Sequence, residues 1–346
     1  MYARQVEQVI DARFQTHELP PAPSVVASDF KALGGADVYL VFFESYGATV
    51  LDEPDRAQAL QPSYAALTQT CADTGWSIAS ALLDSTTFGG SSWLAHSSVM
   101  TGSQIDGPQR YEMILASTRT TLARRFKAAG YRTLALMPGL KQAWPEGDFY
   151  GFDDIVPAAR IDYRGPAFGW WAIPDQYTLD WLYRNAIAKP DRQPLFVFYP
   201  TVMSHAPFSP TPPYQPDWSR LTTSDPFPAE QVSQVFARSG WRDPSASYIG
   251  TIHYNLAVLA GFLRERLHDN ALIVVLGDHQ PPAIVSGVGA SHAVPVHVLS
   301  RDPALLDVFL RAGFKAGVLP QRPAVGGIEE LYGLILAAAD SRKTRE

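Results

Sequence analysis

DVYLVFFE, residues 37–44, decides how the rest of the chain is read. Val38 to Phe43 form an unbroken apolar run of β-branched, aromatic and leucine side chains, closed by the carboxylate of Glu44. A strand exposed to water on one face would alternate polar and apolar residues. A continuous run signals a strand covered on both faces, as in the middle of a parallel sheet. PLFVFYPTVM (194–203), NALIVVLGDH (270–279) and VPVHVLS (294–300) read the same way, with SIASALL (77–83) and YRTLALMP (131–138) as further strands. Helical patterns lie between and after them, around 63–74, 117–129 (ended by Gly130), 176–188, 254–269, 303–312 and 327–339. Alternating strands and helices predict an α/β protein with a mostly parallel central sheet and helices on both faces.

The chain has 346 residues, 46% of them apolar, which is ample for a large core. Residues 1–30 read as an N-terminal lead-in, with a polar, helix-like opening that is not a signal peptide and a Pro-rich stretch over 18–30. Residues 31–346 read as one catalytic domain, with Trp/Pro/Gly-rich insertions near 138–174 and 206–247. Only 18% of residues are charged and the net charge of −6 is spread out, so nothing invites nucleic acid. The single cysteine, Cys71, rules out an internal disulfide and a cysteine-built metal site. No apolar run approaches the ~18 to 20 residues that span a bilayer. As given, the chain reads as soluble, or as the soluble part of a larger membrane protein.

In sheets of this kind ligands bind beyond the carboxyl ends of the strands. Glu44 follows the first strand, the hydroxyl-rich stretch 84–102 (DSTTFGGSSWLAHSSVMTG) the second, Ser204-His205 the strand at 194–203, and Asp278-His279 the strand at 270–279. His292 stands just before the strand at 294–300. Five distant segments thus bring carboxylates, imidazoles and hydroxyls to one edge. Two carboxylates and one imidazole suit Mn²⁺, Mg²⁺ or Zn²⁺, and such an ion can activate a nearby hydroxyl as a nucleophile. Each residue also has a plainer reading: Glu44 as a solvated turn, His205 as a loop residue, His292 as a strand cap. His17, His253, His268 and His297 read as structural.

These residues resemble the alkaline phosphatase superfamily, in particular the sulfatase-like branch with lipoteichoic acid synthases and phosphoglycerol or phosphoethanolamine transferases. The resemblance rests on Val41-Phe42-Phe43-Glu44-Ser45-Tyr46, Ser92 to Gly102, Ser204-His205-Ala206-Pro207-Phe208, Gly277-Asp278-His279, and Trp144…Gly151-Phe152-Asp153 with Gly169-Trp170…Asp175, in the family's order. It implies an alkaline phosphatase/sulfatase-like fold and one divalent ion held by Glu44, Asp278, His279 and the nucleophile's oxygen. The nucleophile it implies stands ten residues before the Gly of a Thr-Gly pair. Counting back from Gly102 gives Ser92, with Ser91 as the rival. His205 resembles a headgroup-holding histidine and His292 one near the metal, while Trp144 and His96 are expected to touch substrate. Asp175 is the one further acid that a second metal could use.

The implied activity is metal-dependent phosphoryl transfer or hydrolysis through a covalent phospho-serine. Its substrate would be a lipid- or glycan-linked phosphodiester with a phosphoglycerol or phosphoethanolamine headgroup, and a glycan hydroxyl could be the acceptor. The location implied is extracytoplasmic, on the periplasmic or cell-surface side of a bacterial membrane, with any membrane association through segments outside this chain. Two departures stand out. Ser92 lacks the x-Pro-x-Arg sequence of formylglycine sulfatases, and Pro145-Glu146 replaces the Arg expected after Trp144. The competing readings are a phosphodiesterase or sulfatase-like hydrolase of a small soluble ester, and an inactive glycan- or headgroup-binding module.

Overall fold

The structure is a computed structural model that describes residues 19–21, 23, 28–169, 171–238 and 243–340. The helix-like opening, His17 and Trp170 lie outside the described residues. One eight-stranded sheet organises the chain, in the order β4-β3-β5-β1-β6-β7-β2-β8. The strands are β1 (Asp37–Phe43), β2 (Ser77–Asp84), β3 (Arg132–Met137), β4 (Asp154–Pro157), β5 (Leu195–Pro200), β6 (Ala271–Gly277), β7 (Ala293–Ser300) and the short β8 (Lys315–Ala316). The pairs β4–β3, β3–β5, β5–β1 and β1–β6 are parallel, whereas β6–β7, β7–β2 and β2–β8 are antiparallel.

The unbroken apolar runs are where burial on both faces is complete: every residue of β1, β6 and β7 is buried. Side chains of β1 alternate between two cores, as the period of a strand requires. Tyr39, Val41 and Phe43 join the core under the helices Pro54–Thr74 and Pro244–Glu265. Val38, Leu40 and Phe42 join the core under Ser92–Thr101, Leu122–Ala128 and Leu331–Ala338. Each such side chain contributes roughly 1.5–3 kcal/mol by leaving water, which fixes β1 in the centre. Among the described residues, no helix is long and apolar enough to cross a membrane.

Several boundaries differ from the sequence expectation. The helix expected at 63–74 starts at Pro54, whose fixed φ and missing N–H suit a first turn. The helix expected at 117–129 spans only Leu122–Ala128, because Thr121 accepts a hydrogen bond from the Arg124 N–H and caps it there. The helix expected at 254–269 spans Pro244–Glu265, with Asp243 capping the Ala246 N–H. The one expected at 176–188 is Asp175–Leu182 followed by a π-helical turn over Tyr183–Ile187. The last two begin as 3₁₀ turns, at Pro303–Leu306 and Ile328–Glu330.

His297 lies in β7, fully buried, in a chain of neutral hydrogen bonds. Its Nδ1 lies 2.8 Å from Ser80 Oγ, which donates to the Gly317 carbonyl, and its Nε2 lies 3.0 Å from Tyr46 Oη. Ser80 must therefore accept from Nδ1–H, leaving Nε2 to accept from Tyr46: the neutral imidazole satisfies both contacts. Burial lowers its pKa from 6.5 to about 4. A base depressed by folding contributes stability above its unfolded pKa and loses it as pH falls through the folded one. Between pH 7 and 4 this group is expected to cost about 3 kcal/mol. Urea unfolding of the wild type and His297→Asn at both pH values checks this: the variant should lose less stability to acid, and parallel losses would refute it.

Candidate active site

Adjacent registers assemble the site. Phe43 of β1 pairs with Gly277 of β6, so the residues that follow, Glu44 and Asp278, emerge side by side. β7 runs against its neighbours, so its first residue, Ala293, faces Asp84 at the end of β2. That reversal brings His292 to the same edge as the ends of β1, β2, β5 and β6. Ser92 opens the helix Ser92–Thr101 just beyond β2.

One ligand atom from each of Glu44, Asp278 and His279 lies within 4.8 Å of the others. Ser92 Oγ joins them, 3.0 Å from Glu44 Oε2 and 3.1 Å from His279 Nε2. All three residues are buried. β6 ends at Gly277, so Asp278 and His279 sit in the turn beyond it rather than alternating across a strand. Asp278 Oδ1 accepts from the backbone N–H groups of Ser45 (2.8 Å) and His279 (2.7 Å). Its Oδ2 is buried and has no hydrogen-bond partner. A buried carboxylate oxygen without a partner is costly, and a divalent cation would satisfy it. His279 Nδ1 donates to the Gln280 carbonyl at 2.7 Å, which leaves the Nε2 lone pair facing Glu44 and Ser92. The residues present therefore fit a divalent ion with oxygen and imidazole ligands.

The electrostatics agree with a place for positive charge. Burial works against the charged His279 ring, yet the Asp278 charge, with Glu44 added, lifts its pKa to about 9. Burial also opposes ionisation of Asp278, and the His279 charge followed by the contact with His96 holds that carboxyl well below the usual range.

Some of the supports carry no signal in the sequence. Ser45 takes a left-handed backbone (φ 58°), donates its hydroxyl to Glu44 Oε1 at 3.0 Å, and offers its carbonyl to Tyr248 Oη at 2.9 Å. Thr201 Oγ1 accepts from the Glu44 N–H at 3.1 Å. Ser97, Ser98 and Thr101 bond carbonyls one turn back along their own helix. Ser91 precedes the helix at φ 60°, exposed, and its side chain makes no capping hydrogen bond.

The remaining expected residues stand around this centre. His96 points Nε2 at Asp278 Oδ2, 3.8 Å away. His205 is exposed, with Nδ1 2.6 Å from the Ala206 carbonyl and its ring edge-on to Trp171. His292 Nδ1 lies 3.3 Å from the Ser85 carbonyl and its ring packs near Phe88. Neither imidazole is hydrogen-bonded to Ser92 or to the three ligating residues. Trp144 stacks on Tyr150. Asp175 does not join the ligating group. It accepts from Tyr199 Oη (2.7 Å) and from the N–H groups of Val202 and Met203 (2.9 Å each), so it clamps the loop that leads to His205. Burial pushes Asp175 up to about 6, against these hydrogen bonds.

The sulfatase family model matches residues 88–315. No curated protein matches the sequence significantly. Among solved structures, the Streptococcus pyogenes phosphoglycerol transferase GacH, in complex with sn-glycerol-1-phosphate, aligns with a TM-score of 0.55 at 11% identity, covering 93% of this chain and 85% of that one. The lipoteichoic acid synthase LtaP from Listeria monocytogenes gives 0.51 at 14% identity, over 84% and 70%. The periplasmic domain of the phosphoethanolamine transferase EptC from Campylobacter jejuni gives 0.51 at 10%, over 89% and 94%. At these identities the likeness is one of fold.

Proposed function

The chain belongs to the sulfatase family and is a sulfatase-like hydrolase or transferase; on that premise we propose that it transfers or hydrolyses a phosphoryl group through a covalent phospho-serine at Ser92. The observation that carries this reading is the position of Ser92 Oγ, within 3.0–3.1 Å of both Glu44 Oε2 and His279 Nε2. Glu44, Asp278 and His279, with Ser92 Oγ, would hold one divalent ion, Mn²⁺, Mg²⁺ or Zn²⁺. When bound, that ion lowers the pKa of the serine hydroxyl and neutralises charge on the nonbridging oxygens.

Ser92 Oγ gives up its proton to water and attacks phosphorus; the Oγ–P bond forms as the bond to the leaving alcohol breaks. The free N–H groups of the first helical turn face the anionic group. His205 or His292 supplies the proton that the departing alkoxide needs. Water, or a glycan hydroxyl, then takes the group from Oγ, and the serine regains its proton. The substrate is a lipid- or glycan-linked phosphodiester with a small headgroup of the phosphoglycerol or phosphoethanolamine type. The enzyme works outside the cytoplasm, in the cell envelope. The fold shared with a phosphoglycerol transferase and a phosphoethanolamine transferase supports this substrate class.

Trapping the intermediate tests the reading. After brief incubation of Mn²⁺-loaded protein with a glycerophosphodiester or phosphoethanolamine ester and acid quenching, peptide mass spectrometry should find the added group on Ser92. An adduct on Ser91 would move the assignment, and turnover with no adduct on any hydroxyl would sink it.

A further inference from the structure

A cavity of about 80 Å³ lies along the helix of Ser92. Trp93 and His96, in the first turns, and Met100, one turn further, line it from that helix. His96 connects it to the candidate metal ligands, its Nε2 lying 3.8 Å from Asp278 Oδ2. Its walls are six aromatic rings: Trp93, Tyr111, Trp144, Tyr150, Phe152 and Phe198. They hold one another in place pairwise. Trp93 meets Tyr111 edge-on at 4.6 Å, Trp144 stacks on Tyr150 at 5.2 Å, and Phe152 lies 5.8 Å from Phe198.

The lining contains no lysine, arginine or carboxylate. Ser97 Oγ donates to the Trp93 carbonyl, so Tyr150 Oη donates to Ser97 Oγ, and that hydroxyl is already bonded. Burial raises the phenols of Tyr111 and Tyr150, and the Glu146 charge adds to this, so both rings are neutral at physiological pH. Negative potential comes from the ring faces and from Glu146 at the start of the adjoining turn.

We propose that this aromatic box receives a quaternary ammonium headgroup, so that the substrate is a choline-type phosphodiester whose phosphorus lies at Ser92. The inference rests on the phosphoryl reading of the centre and narrows its substrate. A glycerol headgroup brings hydroxyls, and a primary ammonium brings three N–H donors; the box offers few acceptors for either. A quaternary ammonium has no donor to satisfy and is attracted by ring faces. The reach also agrees. His96 lies four residues, about 6 Å, beyond Ser92 along the helix, a distance comparable to the P–O–C–C–N path of a choline ester. An acyl chain would need far more room than a cavity of about 80 Å³.

Calorimetric titration of Mn²⁺-loaded protein tests this with inorganic phosphate, phosphocholine, phosphoethanolamine and 3,3-dimethylbutyl phosphate, the uncharged carbon isostere of phosphocholine. Phosphocholine should bind at least about tenfold more tightly than the isostere and than phosphoethanolamine. Trp144→Ala should reduce that preference to under about threefold, and Trp144→Phe should keep most of it. An isostere that binds as tightly as phosphocholine would show that the box reads bulk and overturn the proposal, as would equal or tighter binding of phosphoethanolamine. If inorganic phosphate also fails to bind, the phosphoryl reading of the metal centre falls first, and this inference with it.

Discussion

Replacing Ser92 by alanine is expected to lower turnover at least about 10³-fold while the protein keeps its metal. The two halves of this result come from different atoms. On the proposed mechanism turnover depends on Ser92 Oγ, which touches both Glu44 and His279. Metal retention depends on Glu44, Asp278 and His279, which the change leaves in place. Ser91 is no substitute, because it lies before the helix, exposed, in a left-handed conformation. Ser92→Thr should recover part of the rate, since it restores a hydroxyl on the same carbon. Initial rates with metal analysis of each variant decide the matter. Unchanged activity in Ser92→Ala would move the nucleophile to Ser91, and loss of metal would make Ser92 a principal ligand.

Gly277→Ala is expected to destabilise the fold by at least about 3 kcal/mol and to weaken metal binding more than tenfold. Gly277 ends β6, immediately before Asp278. A Cβ there would overlap the Tyr46 carbonyl, 2.8 Å from its carbon, and come within 3.1 Å of the Val294 side chain. Neither backbone can yield cheaply. Tyr46 belongs to the turn that carries Glu44, and Gly277 to the one that carries Asp278 and His279. Whichever segment moves, the ligands separate. Thermal unfolding with and without Mn²⁺ checks both parts; a variant with wild-type midpoint and affinity would show that the two turns tolerate the extra volume.

Much of the site was legible in the sequence, because a strand buried on both faces is legible and the residue after it is then fixed in space. Glu44 and Asp278-His279 follow the two clearest apolar runs, and their strands prove to be neighbours in register. His292 reaches the edge for a reason the sequence did not reveal: β7 runs backwards, so the residue before it arrives where others follow their strands. The supports were hidden because they act through backbone geometry. Nothing in the side chain of Ser45 announces a left-handed residue whose amide holds Asp278. Asp175 is the one acid the resemblance offers to a second metal; three hydrogen bonds to Tyr199 and the next loop show a clamp. Helix starts were missed where the first turns are polar, as in Pro54–Thr74, since periodicity is weak there and only the proline marks the boundary.

The candidate metal ligands lie at positions 44, 278 and 279, just beyond the two central strands, which pair only after more than two hundred intervening residues have been threaded between them. No fragment from either half of the chain can hold the ion. Metal uptake would therefore be a late event in folding, since such distant pairings close last, with the ion binding the finished protein rather than the unfolded chain. By mass action the stability would then rise with free cation, by about 2.7 kcal/mol at a hundredfold excess over the dissociation constant. The ion proposed here would then set both the activity and the lifetime of the enzyme.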